Sequence, residues 1–297
     1  MNSNIRIEHF ADRIVSGLHH SDVYFNSDLG EIRGSGSGLS KERAIFIAFQ
    51  EMRERYAFRK KITSTPFTSI KSSSGFASGL TAEDSARRAL FELLERDAFL
   101  RHWYTKRPPH WVAAPHEIKK KFSNHGFDVL YAQLALYEEC CVGLMAFKPL
   151  NPKELNFGFG IAIAASQSWS EHYDSLMFNI SRLAHILLLR KELNDSLFIE
   201  VPQIKEPQDH YELYFQPQTA ETANWIWGNS DFPLEIKSPK IDIETVRCTI
   251  DLAWEAFISH AKSDEVLNIT FGEQIDTQEI EKILNQPISN QRIHPLG

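Results

Sequence analysis

Cysteine is scarce in this chain: Cys140, Cys141 and Cys248 are the only three among 297 residues. An odd number that includes an adjacent pair does not build a disulfide framework, and no C-x-x-C spacing offers a thiolate metal site. A reducing, cytoplasmic setting is therefore expected. Long apolar runs are missing as well. No run, Ile186-Leu187-Leu188-Leu189 included, comes near the length needed to cross a bilayer, and Met1 to Ile7 has nothing of a signal peptide. Neither a membrane nor export is expected. Positive charge is in deficit, with a net charge of −7 and a pI near 6.0. A broad nucleic-acid surface needs a basic patch, so nucleic acid is excluded as a partner while a local nucleotide site stays compatible. The glycine run Gly34-Ser35-Gly36-Ser37-Gly38-Leu39-Ser40-Lys41 lacks the Gly-Lys-Ser/Thr order of a Walker loop.

What remains is ordinary globular composition, 42% apolar and 24% charged, with length enough for a large core. One domain, or two closely joined lobes, is expected. The most informative stretch runs from Ser72 to Phe99, where a Gly/Ser loop (Ser74 to Gly79) leads into a strong helix carrying Glu92-x-x-Glu95-Arg96. Residues three apart lie on one helix face, so the two carboxylates can aim at one point with the arginine on the flank. Ala86, Ala89, Leu90, Leu93 and Leu94 make the neighbouring face one that packs. The same arrangement occurs earlier as Glu51-x-x-Glu54-Arg55 after the loop Gly34 to Gly38. At one constant offset, Ala48, Glu51, Glu54, Arg55, Ala57 and Phe58 match Ala89, Glu92, Glu95, Arg96, Ala98 and Phe99.

Two such helices packed side by side would bring four carboxylates and two arginines together, and that much negative charge near a core requires a cation. Mg²⁺ suits it, as a hard ion bound through carboxylates together with substrate phosphates, and Arg55 and Arg96 offer forks for phosphate. The plain alternative is two solvated helix faces with local ion pairs. A carboxylate-bridged two-metal helix site is set aside, since neither helix has a His three residues after its Glu.

These residues resemble the signature of the YcaO domain: Ser74-Gly75-Phe76-Ala77-Ser78-Gly79, Glu83-Asp84 and Glu92-Leu93-Leu94-Glu95-Arg96-Asp97-Ala98-Phe99, with Gly36-Ser37-Gly38-Leu39-Ser40 and Glu51-x-x-Glu54-Arg55-Tyr56 before them. Looser similarity runs through Arg107-Pro108-Pro109, Gly126-Phe127-Asp128-Val129, Phe157-Gly158-Phe159-Gly160, Asp209-His210-Tyr211 and Asn290 to Leu296. The resemblance implies a single α+β domain over residues 1–297, with mixed β-sheets and paired acidic helices. It implies ATP and Mg²⁺ as cofactors, the metal at Glu51, Glu54, Glu92 and Glu95, and nucleotide contacts from Ser74, Asp84, Arg55 and Arg96. Residues 1–30 make a shorter leading region than many members carry, and members draw some phosphate contacts from there. Asp84 stands where Glu is usual, Leu80 where Asn is common, and a third acidic position falls near Asn179.

The activity implied is O-phosphorylation of a peptide backbone amide. Attack by a Cys, Ser or Thr side chain then gives a thiazoline or oxazoline in a ribosomal peptide natural product, while relatives use external sulfide or an amine. The tail Arg292 to Gly297 resembles a reduced form of the proline-rich terminus of cyclodehydratases, which marks His294 and Pro295 as candidate catalytic residues; a frayed end is the alternative. The implied partners are a peptide substrate and a leader-peptide-binding protein, with a homodimer left open. A second functional reading is a catalytically degenerate scaffold or peptide-binding subunit.

Elsewhere, Ser40 and Thr81 read as helix N-caps, and Arg107-Pro108-Pro109 ends the second helix. A short basic helix is expected at Glu117–Asn124, with strands at Phe127–Tyr131, Cys141–Phe147, Phe157–Ala165 and Leu267–Phe271. Helices are expected at Ser170–Leu193 and Thr277–Leu284. His210, Trp225, Trp227 and Trp254 are taken as structural.

Overall fold

The structure, a computed structural model, describes residues 4–64, 74–152, 157–192, 213–250, 254–268, 277–290, 292, 294 and 295. In chain order these form β1 (Ile5–Ala11), β2 (His19–Ser27), β3 (Gly30–Gly38), α1 (Lys41–Ser64), β4 (Phe76–Gly79), α2 (Ala82–Thr105), β5 (His110–Val112), α3 (His116–Ser123), β6 (Phe127–Leu136), β7 (Cys141–Pro149), β8 (Gly160–Ser166), α4 (His172–Glu192), α5 (Pro217–Glu221), a 3-10 turn (Asn224–Trp227), β9 (Leu234–Glu235), β10 (Asp242–Ile250), β11 (Trp254–Lys262) and α6 (Thr277–Leu284). The class is α+β, as the sequence implies. Two compact units divide the chain: residues 1–94 with 240–264, and 95–239 with 265–297, the division falling within α2.

The first unit holds two antiparallel sheets, ordered β1-β2-β3 and β10-β11-β4. The Gly/Ser run before α1, expected as a turning loop, is instead β3 itself. Glycine at every second residue is a strand period, and it places Gly34, Gly36 and Gly38 on the face that lies against α1. A Cβ on Gly34 would come within 2.2 Å of the Ala48 carbonyl and the Met52 nitrogen, and one on Gly36 within 2.2 Å of the Ala44 carbonyl. The glycines thus let a strand backbone touch a helix backbone; they do not supply a bend. Val23, Phe25, Ile32, Ala48, Met52 and Tyr56 close the core beside this contact. The second Gly/Ser loop is likewise mostly strand, since Phe76 to Gly79 form β4.

The helix starts follow the sequence. Ser40 Oγ accepts the Arg43 N–H at 3.1 Å, and Thr81 Oγ1 accepts the Asp84 N–H at 3.1 Å. At the end of α2, Lys106 takes a left-handed φ of 53°, and the Arg107 N–H reaches the His102 carbonyl at 3.1 Å. This is a Schellman closure with lysine where glycine is favoured, and Pro108 bars continuation.

The second unit is built on an antiparallel sheet ordered β5-β6-β7-β8, with β9 alongside β6 in parallel. Its central strand, β7, is buried along nearly its whole length, and α4 packs on β7 and β8. Phe127, Phe147, Phe157 and Phe215 interlock at the core, and Trp103 packs edge-on against Tyr214 and Trp225. Asp97, fully buried, ties this unit together. It accepts the Leu267 N–H at 2.7 Å, the Tyr137 hydroxyl at 2.7 Å and Arg101 Nε at 2.8 Å.

The expected helices at residues 117–124, 170–193 and 277–284 are present as α3, α4 and α6. The strand expected from Phe157 begins at Gly160, while Leu267 and Asn268 are not strand, and residues 269–271 lie outside the described ones. Asp209, His210 and Tyr211 lie outside them too, as does the Trp254 side chain. Trp225 and Trp227 are both half-buried in aromatic contacts, as taken from sequence. No described helix is long and apolar enough to cross a membrane.

Candidate active site

The glutamates of the two matched helices share one local device. In the first unit, Glu51 Oε2 accepts the backbone N–H of Ser35 at 2.6 Å, and Glu54 Oε2 accepts that of Ser78 at 3.1 Å. In the second unit, Glu95 Oε2 accepts the N–H of Ala165 at 3.2 Å. Ser35 lies on β3, Ser78 on β4 and Ala165 on β8, each the outermost strand of its own sheet. Edge strands present unpaired N–H groups, and here a helix carboxylate caps one on each of the three sheets. One oxygen of each acid thereby becomes a structural acceptor, which fixes where the other points.

The second oxygens differ. Glu51 Oε1 pairs with Arg55 at 2.6 Å in an i,i+4 contact, with the two side chains 30% and 45% exposed. Burial raises the Glu54 carboxyl to about 7; the Glu51 charge adds to the rise, and Arg88, the Ser78 N–H and Arg55 oppose it. Burial raises Glu95 to about 7 as well, opposed by Arg96 and the Ala165 N–H. The Arg96 guanidinium stands 3.9 Å from Glu95 Oε1, too far for a hydrogen bond. Glu92 is half-buried on α2.

Around Glu54 the packing is polar and tight. The Ser78 hydroxyl donates to the Gln50 carbonyl at 2.9 Å, with Gln50 Oε1 at 3.2 Å, and Gln50 and Arg53 are both buried. A chain of hydroxyls, Ser85 to Ser259 to Thr245 with 2.7 Å at each link, runs beneath the start of α2. Asp22, buried on β2, accepts Ser35 Oγ at 2.7 Å and Arg33 at 2.8 Å, so Ser35 bridges Asp22 and Glu51. Ser74 is buried in the turn before β4, and Asp84 pairs with Arg87 at 3.2 Å. Sequence reading missed Arg88, Gln50, Arg53 and Asp22. Arg88 follows Arg87 in the helix, but its charge beside Glu54 comes from packing.

Leu80 exposes 57% of its surface after β4, and Asn179 is exposed on α4. The tail is anchored within the second unit. Trp103 Nε1–H donates to the Arg292 carbonyl at 2.8 Å, Ser289 and Asn290 both donate to the Tyr104 carbonyl, and His294 and Pro295 are buried. At Arg292, His294 and Pro295 the chain is held and not frayed.

Mg²⁺ and a nucleotide can be tested against these groups. The donors are hard carboxylate oxygens, and two of them are held in surroundings that cost them their charge; a divalent cation would restore it. Among the described residues no group of three or more His, Cys, Asp or Glu side chains is arranged to hold a metal. Mg²⁺ uses one or two carboxylates together with phosphates and water, so such a cage is not what it needs. The groups fit.

Residues 63–247 match the sequence profile of the YcaO family, described as a cyclodehydratase that binds ATP and Mg²⁺, and this chain belongs to that family. The matched span takes in α2 and begins near the end of α1, so the earlier acidic motif lies outside it. No curated protein matches by sequence. Solved structures with the same fold include YcaO from Methanopyrus kandleri bound with AMPPCP and Mg²⁺, at 12% identity and a TM-score of 0.62, covering 100% of this chain and 92% of that one. The E. coli microcin synthetase McbBCD complex matches at 11% identity and 0.61, covering 96% and 95%. A heterocyclase in complex with substrate and cofactor matches at 12% identity and 0.62, covering 98% of this chain and 55% of its own length.

Proposed function

We propose that this protein uses ATP and Mg²⁺ to phosphorylate the oxygen of a peptide backbone amide and so drives heterocyclisation of a Cys, Ser or Thr residue to an azoline, with thioamidation as the related outcome. The observation that carries this reading is the pair of partly buried carboxyls, Glu54 and Glu95, each fixed through one oxygen to an edge-strand N–H and each raised to about 7. Membership of the family and the nucleotide-bound and substrate-bound relatives of the same fold support it. Glu51 and Glu54, with Glu92 and Glu95 on α2, are the proposed metal carboxylates. Arg55 and Arg96, with Ser74 and Asp84, are the proposed nucleotide contacts, and His294 and Pro295 the proposed catalytic tail.

When bound, Mg²⁺ supplies charge that offsets the phosphates. The chain's own part is to hold acids that bind no cation while protonated and bind one once it displaces the proton. The amide oxygen takes the γ-phosphoryl group and ADP departs. The neighbouring side-chain nucleophile bonds to the carbonyl carbon and gives up its proton, the amide nitrogen gives up its own, and phosphate leaves with the amide oxygen as the C=N bond forms. The net change is ATP plus peptide to ADP, phosphate and a peptide shorter by the elements of water. A leader-peptide-binding partner protein is proposed to deliver the substrate, in keeping with relatives that are multi-protein complexes.

The exposed Leu80, which offers no polar atom where members commonly carry Asn, favours a second reading as a scaffold without catalysis. Calorimetry with ATP, in Mg²⁺ and in EDTA, and mass spectrometry of a Cys-containing precursor peptide separate the two. The enzyme binds ATP only with the divalent ion and dehydrates the peptide when a leader-binding partner is supplied. Equal ATP affinity in EDTA refutes the carboxylate site, and Mg²⁺-dependent binding without dehydration supports the scaffold.

A further inference from the structure

One of the two sheets of the first unit, β10-β11-β4, ends in an exposed strand. β10 runs nine residues against β11 without a register shift, and every position from Asp242 to Arg247 is exposed, on both faces. Ile243 and Val246 expose 40% and 48% of their surface. Proteins ordinarily blunt such an edge with a bulge, a proline or charged side chains; β10 carries no bulge, proline or lysine, and its charges are Asp242, Glu244 and Arg247.

The hydrogen-bond phase of this edge follows from the strands beside it. Ser78 on β4 is opposite Ile258 on β11, yet its N–H goes to Glu54, so these two residues do not exchange bonds. The neighbouring Ala261 N–H does bond across, to the Gly75 carbonyl. In an antiparallel ladder bonded and non-bonded pairs alternate, so Ile258 turns its N–H and carbonyl towards β10, where its partner is Val246. Val246 and Glu244 are thereby engaged with β11. Ile243, Thr245 and Arg247 direct their N–H and carbonyl groups outward.

We propose that the outer edge of β10 docks the extended peptide substrate by strand addition, along a segment that places lysine or arginine across from Asp242 and Glu244 on one face and β-branched residues across from Ile243 and Thr245 on the other. This rests on the peptide-modifying reading above. Charge decides the occupant. Asp242 and Glu244 share one face of β10, with Lys262 the cation beside them, 3.9 Å from Glu244. Pairing with a second copy about a two-fold axis would put the carboxylates of both copies on that one face, with Arg247 on the opposite face, and in the registers centred on Ile243 or Glu244 it would set them directly across from one another, where like charges destabilise. A basic extended segment meets the same face with complementary charge. Its backbone would lie three strand spacings, roughly 14 Å, from β4, whose Ser78 caps Glu54. About four extended residues bridge that distance, so the docked segment and the reacting residue are separate parts of one peptide.

The probe is a fluorescein-labelled peptide alternating lysine and valine, followed by anisotropy against the whole chain, with a glutamate–valine peptide as its counterpart. The lysine peptide is expected to bind more tightly than the glutamate peptide. Ile243→Pro removes an outward N–H from an exposed residue with no part in the hydroxyl chain, and should weaken binding of the lysine peptide by at least about tenfold, at unchanged melting temperature and ATP affinity. Val246→Pro removes an inward bond and should lower the melting temperature instead. Unchanged binding by Ile243→Pro overturns the proposal. So does a dimer, seen by sedimentation, that this substitution dissolves, since the occupant would then be a second copy. Docking that persists in a protein with no ATP affinity would refute the enzymatic reading and leave this one standing, whereas ATP affinity without docking would do the reverse.

Discussion

Replacing Glu95 by glutamine tests the central electrostatic claim without disturbing shape. The amide oxygen of Gln can still accept the Ala165 N–H, so the cap on β8 persists while the ionisable group is gone. Burial raises the Glu95 carboxyl to about 7, whereas the unfolded chain ionises it near 4.5. Between about pH 4.5 and 7 the unfolded state has released a proton that the folded state retains, so this group's contribution to stability falls as pH rises through that window. The full difference corresponds to about 3 kcal/mol, an upper bound because nearby Arg96 and water penetration soften it. Relative to Glu95→Gln, the native protein should therefore be close in stability at pH 5 and weaker by about 1–3 kcal/mol at pH 8. For a protein of this size that amounts to several degrees in melting temperature. Thermal and urea unfolding at both pH values read it directly, in EDTA so that no cation offsets the charge. Parallel pH profiles for the two proteins would refute the argument, because they would mean the carboxyl is not destabilised by its surroundings.

Gly36→Ala places a methyl within 2.2 Å of the Ala44 carbonyl, and should cost several kcal/mol, about 3 or more, by denaturant titration, or prevent folding. Lys106→Gly relieves a left-handed backbone at the end of α2, and should raise stability by about 0.5–1 kcal/mol in the same assay. Asp97→Ala strips three buried hydrogen bonds and strands Arg101, with an expected loss of about 3–5 kcal/mol. Deleting residues 292–297 removes the acceptor of Trp103 Nε1 and the buried His294 and Pro295. It should lower the melting temperature by several degrees; an unchanged melt would show that the tail contributes no packing.

Much of the architecture was written in local sequence. Ser40 and Thr81 announced helix starts because a side-chain oxygen near a helix N-terminus satisfies an otherwise orphaned N–H, and Pro108 ended α2 because it lacks one. The repeated Glu-x-x-Glu-Arg spacing picked out Glu51, Glu54 and Glu95, which accept edge-strand N–H groups, since three-residue spacing on a helix sets a common face whatever the fold. The two glycine runs were seen but misjudged. Glycine is equally at home in a bend and in a strand pressed against another backbone, and only the packing of β3 on α1 chooses between them. The capping of an edge-strand N–H on each sheet by Glu51, Glu54 and Glu95 was not legible at all, because the partner N–H groups at Ser35, Ser78 and Ala165 carry no side-chain signature. The same holds for the outward phase of Thr245 on β10. Helix faces, caps and breaks follow from neighbours in the chain; carboxyls raised by burial, and strands left open at a sheet's edge, follow from which segments tertiary packing brings together.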